Sequence, residues 1–184
     1  VGGWDMTHKM GLAVGVVYDS REKKALRYFE KDYQELIDKL LSADLVVGFN
    51  HIGFDYGVLS AYTTKNLRTL IPSFDILLDV KQRLGHRLSL DHLVQATLGQ
   101  GKTADGLEAL AWWKAGEYEK VADYCEADVT LTKRLFEFGL ENGHLVYTLK
   151  NGAAARVTLD WDLEKIIQSA KEAMTQTKQR KIRF

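Results

Sequence analysis

Two aspartates that lie far apart in the chain, Asp55 and Asp128, fall where solvated acids do not belong. Asp55 sits in LVVGFNHIGFDYGVL (Leu45–Leu59). The valine-rich run Leu45–Phe49 reads as a strand buried on both faces. Asn50 ends it, and a helical period begins near Ile52. From that start Asp55 has Val58, Leu59 and Tyr62 as its i+3, i+4 and i+7 neighbours. Its carboxylate is therefore expected on the apolar face, where an unpaired charge is costly. A helix-start aspartate beside the positive end of the helix dipole is the alternative.

Asp128 belongs to VADYCEADVTLTKRLFEF (Val121–Phe138). At ~100° per residue, Val121, Tyr124, Cys125, Asp128, Thr132, Leu135 and Phe136 share one helix face. Asp123, Glu126, Lys133, Arg134 and Glu137 point the other way, as solvated charges do. Tyr124 precedes Asp128 by one turn on the same side. Two inward acids, one with a tyrosine neighbour, suggest a metal site lined by oxygen ligands.

Asn50-x-x-x-Phe54-Asp55 and Tyr124-x-x-x-Asp128 resemble the second and third motifs of the DEDDy 3′–5′ exonucleases, which have a ribonuclease H-like fold. The intervening chain resembles that family too. Phe74–Gly99 looks like its fifth strand, with Asp75 at the usual aspartate, followed by a Ser-Leu-x-x-Leu helix. Gly101–Thr132 is similar to a bacterial branch related to the proofreading domains of family B polymerases. The likeness covers about residues 11–143.

The resemblance implies a two-metal phosphodiesterase acting on nucleic acid at single-stranded 3′ ends, with Mg²⁺ or Mn²⁺ as cofactor. Asp55 and Asp128 would be metal ligands and Tyr124 would orient the attacking water through its hydroxyl. Asn50 would brace the strand end or the terminal sugar. Phe54 would pack in the core or against a terminal base, and Lys102 could reach a phosphate. His51 and His86 are weaker candidates, expected at the surface or in loops. No residue announces a choice between DNA and RNA.

The elements that must position these residues follow in order. Gly11–Tyr18 and Lys24–Glu30 read as strands around a turn at Asp19–Lys23. Lys31–Ser42 reads as an amphipathic helix and Phe74–Val80 as a strand, which would put Asp75 and Asp79 on one face. Ser89 caps a helix ending at Gly99. Asp105 and Glu108 suggest a capping box ahead of Trp112 and Trp113. A hairpin around Asn151-Gly152 and a helix over Asp160–Lys178 with the basic end KQRKIRF complete the chain. Residues 1–184 are expected to form one α/β domain, with its core over 11–143 and the hairpin and helix over 144–184.

Against the ribonuclease H-like order the pattern is one strand short. The family's first strand is central and carries Asp-x-Glu. Neither Asp19-Ser20-Arg21 nor Asp5-Met6-Thr7 supplies it, so that strand is expected upstream of Val1. These residues alone are then expected to be inactive or insoluble. A binding module on the same fold that has lost its catalysis is the alternative, followed by endonucleolytic or strand-transfer chemistry, and by a plain α/β domain with coincidental acids.

Composition sets the remaining bounds. A 46% apolar, 27% charged chain of 184 residues is that of an ordinary soluble domain. No apolar run approaches the ~20 residues needed to span a bilayer. The 25 basic and 25 acidic residues cancel, which disfavours gripping a duplex by charge alone. A single cysteine, Cys125, points to a reducing cytosol, and scattered histidines argue against zinc.

Overall fold

Two hydrophobic clusters organise the chain. The computed structural model describes residues 4–101 and 106–182; of residues 4–6, 106 and 177–182 it describes the backbone alone. Lys102, the Asp105 side of the expected capping box and the side chains of the basic C-terminal end lie outside the described residues.

A 3₁₀ helix, Trp4–Lys9, opens the described chain. The antiparallel pair β1 (Val14–Asp19) and β2 (Lys24–Phe29) follows, in the register Val14↔Phe29 to Asp19↔Lys24. After α1 (Tyr33–Leu41), β3 (Val46–Gly48) pairs in parallel with β4 (Ser73–Asp75), and α2 (Asp55–Leu59) and α3 (Leu67–Leu70) lie between them in sequence. Then come α4 (Ile76–Leu84), α5 (Leu90–Leu98), α6 (Gly106–Lys114), the long α7 (Tyr118–Asn142), the hairpin β5 (His144–Thr148) and β6 (Ala154–Thr158), and α8 (Leu163–Ile182).

The fold is mixed α/β, with small sheets flanked by helices. The described strands form three separate pairs, so the single mixed sheet expected from the sequence does not close among them. β3 still lies between two layers. Val46 packs on the cluster of Leu36, Ile37, Leu40, Tyr56, Leu59 and Ile71, whereas Val47 packs on that of Ile76, Leu93, Val94, Leu135, Leu145 and Trp161. Alternate side chains of a strand go to opposite faces, so one valine serves each cluster. All three β3 residues are nonetheless only half-buried, less than a strand covered on both faces.

Two further expectations change. Phe74–Val80 is not one strand: the strand stops at Asp75, and Ile76–Leu84 is helix. Asp75 caps that helix, accepting hydrogen bonds from Leu77 N (3.1 Å) and Leu78 N (3.4 Å), and Gly85 in the left-handed region ends it. Asp79 therefore does not share a strand face with Asp75. It accepts the Trp161 Nε1–H at 2.9 Å and pairs with Arg83. Leu145, Val157, Leu159 and Trp161 of the C-terminal part belong to the larger cluster.

Gly139 marks where α7 meets that cluster. A Cβ there would strike the Trp161 ring, with Cε3 at 2.6 Å and Leu159 Cδ1 at 3.0 Å. In an exposed helix Gly→Ala gains up to ~1 kcal/mol. Here overpacking against a rigid indole dominates, and Gly139→Ala is expected to cost about 1–3 kcal/mol in urea unfolding.

Candidate functional site

The loop from Asn50 to Phe54 delivers Asp55, and the buried carboxylate of Asp75 holds that loop. Asp75 is 4% exposed. It accepts hydrogen bonds from Asn50 N at 2.8 Å and Ile52 N at 3.1 Å, besides the two at the start of α4. One anion thus joins the ends of the parallel strands β3 and β4 to the loop ahead of α2. Asn50 has φ +63°, a left-handed conformation that asparagine tolerates better than most residues. Its carbonyl accepts the Phe54 N–H at 2.9 Å, closing the turn.

Helix α2 begins at Asp55 rather than near Ile52. The residue therefore stands in the first helical turn, the position given above as the alternative, and it is exposed instead of buried on the apolar face. Tyr56, Val58 and Leu59 form the buried side, and Tyr62 lies beyond the helix end. The inner side of the Asp55 carboxyl is crowded by protein. Partial loss of hydration, helped slightly by nearby Asp75, outweighs the Asp55 backbone N–H and pushes the carboxyl up from 3.8 to about 7.

A pH dependence follows from this shift. The native state holds the Asp55 proton more tightly than the unfolded chain does. Its stabilising contribution is complete below 3.8 and is lost as pH rises towards about 7. Melting in EDTA should show this decline in the wild type. In Asp55→Asn the slope should flatten and the melting temperature at neutral pH should rise.

Asp128 lies halfway along α7, half-buried, with Tyr124 half-buried one turn before it. Val121, Leu135 and Phe136 are buried, as the helix-face argument requires. The outward acids have a definite role: Asp123 and Glu126 bind Arg27 of β2 at 2.7 and 2.6 Å, with Glu119 at 3.5 Å. These contacts are partly exposed and individually weak, but together they fix the rotation of α7 against the first hairpin. Asp128 lines a groove of about 400 Å³ with Gln100, Gly101, Ala127, Thr130, Leu131 and Arg134. Leu131, one turn on from Asp128, and Phe49, just ahead of Asn50, pack on the same core cluster.

The remaining residues divide. Asn50 is held through its backbone by Asp75, and its amide oxygen is 3.5 Å from Arg87 Nη2. Phe54 packs on the cluster around Tyr56 and Leu59, the core alternative. His86 is an exposed loop residue, as expected. His51 lies in a loop, one of its two expected places, but is buried there, only 7% exposed. Its ring stands edge-on to Tyr56 (centroids 5.2 Å apart), and Nδ1 is 3.5 Å from Asp75 Oδ2. Burial lowers its pKa, only partly opposed by Asp75. Among the described residues neither ring nitrogen is hydrogen-bonded. The sequence signal for this burial was Gly48, where a Cβ would come within 2.7 Å of His51 Nδ1.

Asp55 and Asp128 offer carboxylate oxygens, the donor type hard divalent cations prefer. The number of donors is smaller than a two-ion site requires: among the described residues no group of three or more His, Cys, Asp or Glu side chains is placed to hold a metal ion. None of the described helices is long and apolar enough to cross a membrane. Fold and site together define a mixed α/β protein with two candidate acidic positions on α2 and α7. Comparison with protein-family models, curated proteins and solved structures finds no match.

Proposed function

We propose that this chain carries part of the active site of a metal-dependent 3′–5′ exonuclease on a ribonuclease H-like fold. The observation that carries the reading is Asp128. An acid at the centre of the packing face of a 25-residue helix is also open to a groove. A merely structural acid would be expected on the outer face, with Asp123 and Glu126. The Tyr124-x-x-x-Asp128 spacing and the crowded Asp55 carboxyl support the same reading.

In this account Asp55 and Asp128 contribute carboxylate ligands for Mg²⁺ or Mn²⁺. Bound divalent ions would neutralise charge at phosphorus and make water nucleophilic near neutral pH. The Tyr124 hydroxyl orients that water as a hydrogen-bonding group. Asp75 acts at one remove by holding the loop that presents Asp55.

The test is degradation of a 5′-labelled single-stranded oligonucleotide by the full-length protein with Mg²⁺ or Mn²⁺. A ladder shortening from the 3′ end, abolished by EDTA, is expected. Intact substrate with both metals would favour the binding-module alternative, and internal cleavage the endonucleolytic one.

A further inference from the structure

The groove beside Asp128 contains a charge that the roles assigned so far do not use. Arg134 lines it six residues further along α7, about 9 Å at 1.5 Å per residue. Its guanidinium is exposed, and Nη1 donates to the Gln100 side-chain oxygen at 2.5 Å, a neutral amide. Arg68 and Arg87 likewise donate to neutral oxygens, of Gly53 and Asn50, but neither lines this groove, and three other arginines are paired with acids. Arg21 pairs with Asp44, Arg27 with three acids and Arg83 with Asp79 and Asp160. The neighbouring Lys133 is also committed, to Glu137. The amide of Gln100 orients the Arg134 fork without neutralising it, leaving the cation at the wall of a groove that an acid also lines.

We propose that Arg134, oriented by Gln100, binds a backbone phosphate of a single nucleic-acid strand lying in this groove. The proposal rests on the nuclease reading and adds to it the path of the strand beyond the reacting phosphate. A guanidinium matches two phosphate oxygens at once, whereas lysine would act as a point charge. The distance along α7 separates this contact from the reacting phosphate, so Arg134 is a substrate-binding residue. A phosphate contact also carries no base preference of its own.

The experiment measures equilibrium binding of fluorescein-labelled oligothymidine and oligouridine to the full-length protein in EDTA, which prevents turnover. Salt is varied for the wild type, Arg134→Ala and Arg134→Lys. Arg134→Ala is expected to weaken binding about tenfold and to reduce the slope of log affinity against log salt by about 1. Arg134→Lys should keep the slope with a smaller loss. Melting temperatures should agree among the three, because the side chain is exposed. Equal affinity and equal slope for wild type and Arg134→Ala would overturn the proposal and leave the nuclease reading intact. Failure of the wild type to bind either oligonucleotide would overturn both. A similar loss with both oligonucleotides supports a contact to the phosphate; a loss confined to one overturns the phosphate assignment.

Discussion

Replacing Asp75 with alanine is expected to lower the stability of the fold by about 3–5 kcal/mol. The carboxylate is almost wholly buried and accepts four backbone hydrogen bonds, from Asn50, Ile52, Leu77 and Leu78. Each bond to a charged group contributes about 1.5–3 kcal/mol, and these gains are not additive. Alanine leaves the donors without their acceptor where water reaches poorly. It also releases the strand-to-loop junction, so Asn50 loses support for its left-handed conformation. The expected readout is a lower urea midpoint with little change in slope. Asp75→Asn should recover part of the loss, since one amide oxygen can still accept. A cost below about 1 kcal/mol for alanine would show that water replaces the carboxylate easily.

The second large effect is on turnover. Asp128→Asn in the full-length protein is expected to lower phosphodiester hydrolysis by about 10³-fold or more, corresponding to roughly 4 kcal/mol of lost transition-state stabilisation. The amide has nearly the shape of the carboxylate, and Asp128 is half-buried at a groove. The melting temperature should therefore scarcely move. Unchanged stability with lost activity separates a functional acid from a structural one. The opposite pattern would place Asp128 among the packing residues.

Helix-face periodicity located α7, the buried Val121, Leu135 and Phe136 and the half-buried Asp128, because a long amphipathic helix repeats its signal many times. The first hairpin and the end of α5 at Gly99 were legible for local reasons: alternation around a turn, and a serine cap with a glycine stop. Phe74–Val80 misled because a short apolar run has the same composition in a buried strand and in a capped helix. The deciding contact is the Asp75 side chain on the backbone of Leu77 and Leu78. Asp55 was misplaced for a related reason, since helix onset sets which face each residue takes, and a start three residues later moved it to the first turn. His51 was missed because its burial depends on Gly48, Tyr56 and Asp75 closing around it, contacts that no periodicity encodes. Arg134 resembled any outward charge until the groove and its amide partner were visible.

The most direct test is a double-mutant cycle on hydrolysis by the full-length protein, with Asp55→Asn, Asp128→Asn and the pair together. If both acids serve one reacting centre, each single change removes most of the activity and the double variant is scarcely slower than the worse single variant. Two modest losses that multiply in the double variant, or full turnover in either single variant, would contradict a shared site.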